Sequence, residues 1–386
     1  MASRISGQET KLRGIPHFAI SHLNKGIGMK RVIKQVLGID VAQKELVVCL
    51  GRMHDDLTSD LFAHHIFPNT AKGMGSLLAW VGKLTDPLLA VHYVMEATGV
   101  YHERLAYFLD DNARPVSVVL PNKISNYARS LSVKTVTDRT ACEAIARFGL
   151  ERHLEPWHKP QPVLGTMRQL TRERDQIVAE RSMAKNQLHA EKAQAQPHAA
   201  SVKRVQQRIR LLDRQEKEIT AEIADVVRED GQVSESVKLL RSIPGVGLLT
   251  AASVLAETNG FELIRNKRQL TSYAGLDVVE KQSGTSVRGK PRISKRGNRY
   301  LRKAMHMPAL TAIRHDQRFK GLFVRLVSKH GVKMKAVVAV QRKLLELMYT
   351  VHSTGVAYDR QYLEKQQNTG QQASSDVQWS KKLEAA

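Results

Sequence analysis

The sequence predicts an α/β N-terminal domain, a mixed sheet with helices packed over it, followed by a helical coiled-coil arm and a mostly α C-terminal domain with a helix-hairpin-helix-like element. Three observations predict this. The first 150 or so residues alternate β-rich runs with helical segments in the order β-β-β-α-β-α-β-α, which calls for a sheet covered by helices. A cluster of prolines, Pro156, Pro160 and Pro162, then ends that pattern, and a long heptad repeat begins beyond it. The last third reads as helices of 3.6-residue period, interrupted by glycine-bearing turns and one strongly basic stretch.

Residues 1–31 show no sustained period and are expected to be a poorly ordered extension. Met29 directly precedes the first structured run, so residues 1–28 read equally as native chain or as an upstream addition. The α/β domain is expected over 32–155. Strands at 35–41 and 45–51 flank Ala42-Gln43-Lys44, a hairpin, and a third strand follows at 61–67. A helix at 71–83 leads to an apolar run at 88–95, suited to a buried central strand. A helix at 101–109, a short strand at 115–120 and a helix at 140–150 complete the order.

Three acidic residues stand at informative places on this scaffold: Asp40 in the first strand, Glu96 at the end of the central strand, and Asp138 at the start of the last helix. A charged group in an apolar strand is costly unless it is paired or bound to metal. Carboxylates meeting at neighbouring strand ends repel one another until a cation joins them, and hard oxygen ligands favour Mg²⁺ or Mn²⁺. Such ions activate an attacking oxygen and stabilise a leaving one at a phosphodiester. Taken singly, each carboxylate reads more simply as a solvated or capping residue. Their conjunction is what points to a metal site.

The segment 156–232 is expected to be a linker and an antiparallel coiled-coil arm or a dimerisation element. Its first helix is polar and free of proline over 164–192, a break containing Pro197 spans 193–200, and the second helix carries a seam of Val202, Val205, Ile209, Leu212, Ile219, Ile223 and Val226, interrupted by Glu216. The C-terminal domain is expected over 233–358. Within it, Ile243-Pro244-Gly245-Val246-Gly247 between two helices reads as a helix-hairpin-helix, where Gly245 and Gly247 let backbone N–H groups approach a DNA phosphate. A tight structural turn accounts for the same residues nearly as well. The stretch 275–303 reads as loop or short turns before a helix that begins near Asn298. Its second half carries Arg288, Lys290, Arg292, Lys295, Arg296 and Arg299 and no acidic residue, and Ser283 precedes these beside a glycine. Helices are expected over about 300–315, 319–329 and 333–352, and a disordered tail over 359–386, rich in Gln, Ser and Asn.

Composition narrows the partners. The formal net charge is +23, which favours a polyanion, and nucleic acid is the leading one because Lys and Arg gain affinity by releasing phosphate counterions. An acidic membrane surface is the weaker alternative, and no apolar run approaches the roughly 20 residues needed to span a bilayer, so no membrane partner is expected. Only Cys49 and Cys142 are present, which argues against a disulfide framework and fits the cytoplasm. The aromatic content of 5% is low for a protein that grips single strands by stacking.

Together these motifs resemble the DEDD-type insertion-sequence transposases, the bacterial bridge-RNA- or seeker-RNA-guided recombinases, over residues 36–348. Gly38-Ile39-Asp40, Glu96-Ala97-Thr98-Gly99 and Thr137-Asp138-Arg139 are similar to the acidic motifs of that family's RuvC-like, RNase H-fold domain. The Pro-Gly-Val-Gly turn, Tyr273-Ala274-Gly275-Leu276-Asp277 and Gln282-Ser283-Gly284 are similar to its C-terminal transposase domain. The resemblance implies that Ser283 attacks a DNA phosphodiester to form a 5′-phosphoserine link, with Asp40, Glu96 and Asp138 binding Mg²⁺. It further implies sites shared across a homo-oligomer, dimer to tetramer, and a structured guide RNA that pairs with donor and target double-stranded DNA in the bacterial nucleoid. Ser286 and Ser294 lie in the same basic stretch, and only the motif match favours Ser283 over them.

One departure matters. The family carries a second aspartate three residues after the one matching Asp138, and here that position is Ala141. Residues three apart share a helix face, so the missing carboxylate belonged to the same metal site, and Glu143 points elsewhere. A decayed element and a deliberate Asp-to-Ala change both account for it, the latter slightly better because the other motifs are intact. The chain as written is expected to bind nucleic acid and to cut it poorly. Two other functions compete: a junction-resolving, RNase H-type metal nuclease in which Ser283 has no part, and a basic RNA-binding scaffold with a vestigial metal site.

Overall fold

The computed structural model describes residues 30–361 except 98, 132–134, 136, 281, 284–286 and 290. The expectations for residues 1–29, for the tail beyond 361, and for Thr98, Gly284, Ser286 and Lys290 lie outside the described residues. The chain forms two compact units that divide between Lys159 and Pro160, inside the proline-bearing linker.

In the first unit, strands β1 (Val32–Val41), β2 (Glu45–His54) and β3 (Ser59–Pro68) form an antiparallel meander. Helix α1 (Ala71–Leu84) then leads to β4 (Val91–Glu96), and α2 (Tyr101–Asp111) leads to β5 (Val116–Val119). Helices α3 (Pro121–Ser130) and α4 (Asp138–Glu151) end the unit. The strand order is β3-β2-β1-β4-β5, with β4 parallel to β1 and β5 parallel to β4. This is the mixed sheet flanked by helices that the sequence predicts. Side chains alternate across it: Leu37, Ile39 and Val41 pack with Leu77 and Val81 of α1 and Leu105 and Leu109 of α2, while Val36 and Val94 pack with Ile145 and Leu150 of α4. The contact between α4 and the sheet is close, because a Cβ on Gly38 would lie 2.3 Å from the Ala146 nitrogen and 2.4 Å from the Cys142 oxygen. Cys49 and Cys142 are free thiols buried at that contact.

Two details differ from expectation. The central strand starts at Val91 rather than at residue 88: Leu88 is 90% exposed in a turn where its N–H donates to Asp86 Oδ1 at 2.9 Å. Helix α3 was missing from the predicted order, since its sequence is polar apart from Ile124 and Tyr127, the two side chains it buries. Its proline at the first turn suits a helix start, where the missing N–H has no partner to lose.

In the second unit, α5 (Pro162–Lys192) and α6 (Ala199–Glu229) form a helical hairpin. Val205, Leu212, Ile219 and Ile223 of the expected seam are buried, with Val227 buried beside the partly exposed Val226. Glu216, the polar break in the seam, is held by Arg181 and, at 2.5 Å, by Arg174 across the pair. The arm is not independent of the C-terminal helices: Leu164, Met167, Ile223 and Val227 enter the same core as α8 (Leu248–Thr258) and α13 (Lys333–Thr354).

Between these lie α7 (Gly231–Arg241), α9 (Lys267–Tyr273), α10 (Arg299–Ala304), α11 (His306–His315) and α12 (Gln317–His330). The single helix expected over 300–315 is thus two. Pro308 has no N–H to donate to Ala304, so it fits the first turn of a new helix and not the interior of a continuing one.

Candidate active site

The first unit sets its carboxylates by strand alternation. Asp40 follows Val36 and Gly38 on the face that α4 covers, and Glu96 follows Val94 on that same face of β4. Gly38 pairs with Val94 and Ile39 with Met95, so one further step along the parallel register brings Asp40 beside Glu96. Asp138 is the first residue of α4, whose start is fixed by Thr137: its hydroxyl accepts from the Thr140 N–H at 3.2 Å, and Thr140 Oγ1 accepts from the Thr137 N–H at 2.9 Å. That reciprocal cap fixes where α4 begins.

Asp40 feels the charge of Asp138. Burial raises the Asp40 carboxyl above its ordinary pKa, the charge of Asp138 raises it further, and a backbone hydrogen bond at Val41 opposes the rise. Like charges pushed together in this way are what a divalent cation relieves, and the all-oxygen donor set suits a hard ion. Among the described residues, no three of His, Cys, Asp or Glu are gathered tightly enough to hold a metal. The fold therefore brings Asp40 and Asp138 within electrostatic reach and puts Glu96 on the same face without closing a three-carboxylate cluster. Ala141 lies one helical turn beyond Asp138, its N–H donating to the Thr137 carbonyl at 2.8 Å. Glu143 is engaged with His64 at 3.0 Å and with Arg139 at 3.3 Å, which takes it away from the Asp138 face.

In the second unit, the stretch read as loop is a two-tier β-hairpin. Strands β6 (Val278–Val279) and β9 (Arg292–Ile293) pair at its root, and β7 (Gln282–Ser283) pairs with β8 (Val287–Arg288) in its outer tier, with Ser283 opposite Val287. Arg292, Lys295, Arg296 and Arg299 are exposed around the root, and Arg299 lies over the Tyr300 ring at 4.8 Å. Arg288 contributes its backbone to β8.

Several side chains hold this root, and of these Arg172, Glu257 and Arg302 were not singled out from the sequence. Ser294 Oγ donates to Asp277 Oδ1 at 2.5 Å, and its N–H donates to the Asp277 carbonyl at 2.8 Å. Arg302 reaches the carbonyls of Ala274 and Gly297 at 2.8 and 3.1 Å. Glu257, with its side chain only 2% exposed, accepts from Arg172 Nε and Nη2 at 2.7 and 2.8 Å and from Asn298 Nδ2 at 2.6 Å, while its carbonyl accepts from the Tyr273 hydroxyl at 3.0 Å. Asn298 in turn caps α10. The Tyr-Ala-Gly-Leu-Asp motif thus forms one side of the hairpin root. A charged Glu257 directly after the uncharged, mostly apolar run 248–256 was the signal available for this network.

The Pro-Gly-Val-Gly turn joins α7 to α8. Gly245 has φ +90°, and a Cβ there would lie 2.5 Å from the Pro308 carbonyl, so the turn is pressed against α11. Gly247 is exposed at the start of α8, where no side chain caps the helix and no atom lies within 4 Å of an added Cβ. The open N–H groups there suit an anion.

A mixed sheet with carboxylates along one helix-covered face, in a chain of net charge +23, suits a protein that works on nucleic acid. Residues 37–194 match the family model of the IS110-type DEDD transposases, and residues 237–323 match the model described as Transposase IS116/IS110/IS902 family. The chain belongs to this family and is a DNA transposase/recombinase. It is 27% identical over 329 residues to the pilin gene-inverting protein of Moraxella lacunata, spanning 85% of this chain and 98% of that one. It is 32% identical over 126 residues to the transposase for insertion sequence element IS1111A of Coxiella burnetii, covering 31% and 34% of the two chains. The structure of Thermus thermophilus RuvC aligns with 32% of this chain and 99% of its own at 14% identity and a TM-score of 0.25, too slight a likeness to bear on function. A DEDD domain implies dependence on divalent metal ions. Among the described residues, no helix is long and apolar enough to cross a membrane.

Proposed function

We propose that the chain is an RNA-guided recombinase that cuts and rejoins double-stranded DNA through a covalent phosphoserine on Ser283, working as a dimer or tetramer in the bacterial cytoplasm. The observation that carries this reading is the placement of Ser283 in the outer tier of a hairpin whose root is clamped and cationic. Its rival Ser294 is committed to Asp277 at the root.

Ser283 Oγ attacks a backbone phosphorus, loses its proton, and displaces the 3′ oxygen, leaving a 5′-phosphoserine ester and a free 3′ hydroxyl. Attack by another strand's 3′ hydroxyl reverses the step and returns the serine, so strand exchange conserves ester bonds and needs no energy source. Arg292, Lys295, Arg296 and Arg299 hold the DNA backbone by charge, joined by Arg288 and Lys290, and Gly245 and Gly247 receive a phosphate at the α8 start. Asp40, Glu96 and Asp138, not yet gathered into a cluster, are the residues that would close on Mg²⁺ or Mn²⁺, and such an ion would supply Lewis-acid polarisation of the phosphodiester, whose serine attacker is otherwise a weak nucleophile. With Ala141 in place of a fourth carboxylate, the chain binds its nucleic acids and cleaves poorly. The cations named here address the phosphate backbone, which fits an enzyme whose sequence choice is made by base pairing to an RNA.

Purification with bound nucleic acid, followed by sequencing of the RNA, tests the guided reading. One dominant structured RNA is the expected result. A population that mirrors total cellular RNA would contradict it.

A further inference from the structure

Charge is distributed unevenly along the arm. Positions 182–210 hold six Lys or Arg against one acidic residue, whereas 211–230 hold three against seven. The six, Lys185, Lys192, Lys203, Arg204, Arg208 and Arg210, are all exposed, and none makes an ion pair with a described residue. Nearer the core the pattern is the opposite: Arg172, Arg174 and Arg181 are all paired with carboxylates. Arg204 and Arg208 stand one helical turn apart, where like charges oppose helix formation. Apart from a hydrogen bond from Arg208 to Gln187 Oε1 at 3.3 Å, a neutral partner, the outer arm carries a repulsion that no described carboxylate relieves and a bound polyanion would.

The two helices also shape the surface. Lys192, Lys203 and Arg210 line a groove of about 640 Å³ near the turn between α5 and α6, together with Gln206 and Gln207 and no acidic side chain. Lys203 and Arg210 are about 10 Å apart along the helix at 1.5 Å per residue. Several phosphates fit in that span, at one charge per about 1.7 Å of duplex. Residues 182–210 contain no Phe, Tyr or Trp, so there is no platform on which unpaired bases could stack. Cations without aromatics suit a duplex backbone.

We propose that the outer half of the arm is a second DNA-docking surface, which grips duplex backbone without reading its sequence. The proposal rests on the chain being a DNA recombinase, and it adds a contact remote in sequence from the hairpin of Ser283 and from the turn at Gly245.

The test uses the full chain carrying Lys192→Gln, Lys203→Gln, Arg204→Gln and Arg210→Gln, beside a control with Arg214→Gln, Lys217→Gln and Arg228→Gln. Glutamine keeps good helix propensity, and far-UV circular dichroism checks that the arm stays helical. The probe is a mixed-sequence DNA duplex, and the readout is the slope of log affinity against log salt. The outer-arm variant is expected to lose up to about 3.6 from that slope, about 0.9 for each of its four cations, and the control to keep it. An unchanged slope would overturn the proposal, as would a loss confined to a structured RNA probe. A shift in sedimentation without a change in DNA affinity would also overturn it, assigning the surface to a second copy of the chain. If the unsubstituted chain shows no salt-dependent affinity for DNA, the DNA-recombinase reading fails along with it. A normal slope that the outer-arm changes leave intact removes the arm proposal alone.

Discussion

Asp40 bears the clearest electrostatic stress in the first unit. Burial and Asp138 raise its pKa, so the folded state holds its proton more tightly than the unfolded chain does. The stability it contributes is full below the ordinary carboxylate range and is lost as pH rises through the raised value. Asp40→Asn is therefore expected to raise the melting temperature in EDTA at neutral pH, with the gain vanishing as pH falls to about 4. Thermal melts across that range check it. Ala141→Asp acts in the other direction: it adds a fourth carboxylate one helical turn from Asp138, lowers stability in EDTA, and restores metal-dependent cleavage. The expected gain exceeds about tenfold, the low end of what even outer-shell changes do to a metal site, and a strand-cleavage assay with and without Mg²⁺ reads it. The positions of Asp40, Glu96 and Asp138 were legible in the sequence because each stands at the end of an apolar run or the start of a helix. The Glu257 network was not, because Arg172, Tyr273 and Asn298 reach it from three separate segments that only tertiary packing unites.

At the scale of elements, the two glycines of the α7–α8 turn separate stability from binding. Gly245→Ala places a Cβ against the Pro308 carbonyl at a positive φ and is expected to cost about 1–3 kcal/mol in denaturant unfolding. Gly247→Ala meets open space and is expected to cost a few tenths of a kcal/mol to about 1, while still weakening DNA affinity at the helix start. Equal losses of stability from the two would contradict this account of the turn. The serine hairpin depends on Glu257 in a similar way. Glu257→Ala strips Arg172 and Asn298 of their shared acceptor and is expected to destabilise by about 2–3 kcal/mol, below the 3–5 of a fully buried pair because Arg172 is partly exposed. Chemical denaturation measures it. Helical and meander elements were readable from period and turn residues. The hairpin of residues 278–293 was not, because its strands are two residues long and its charged, glycine-punctuated sequence carries no strand alternation.

For the whole molecule, the sequence pattern foretold an N-terminal mixed sheet flanked by helices and a mostly helical C-terminal region, and the two units divide at the proline cluster. The arm's attachment was harder to foresee. A heptad seam states that a helix has a partner, but not that its root joins the core of the C-terminal helices. The central proposal is a serine nucleophile at Ser283 whose chemistry depends on the carboxylates Asp40, Glu96 and Asp138. The most direct measurement is made in the Ala141→Asp background, with labelled DNA, the co-purifying RNA and Mg²⁺, scoring protein-bound label after denaturation. The account predicts a covalent adduct that disappears in Ser283→Ala and is strongly reduced in Asp40→Ala. Cleavage that proceeds in Ser283→Ala without any adduct would contradict it, and would make the chain a metal nuclease in which the serine has no part.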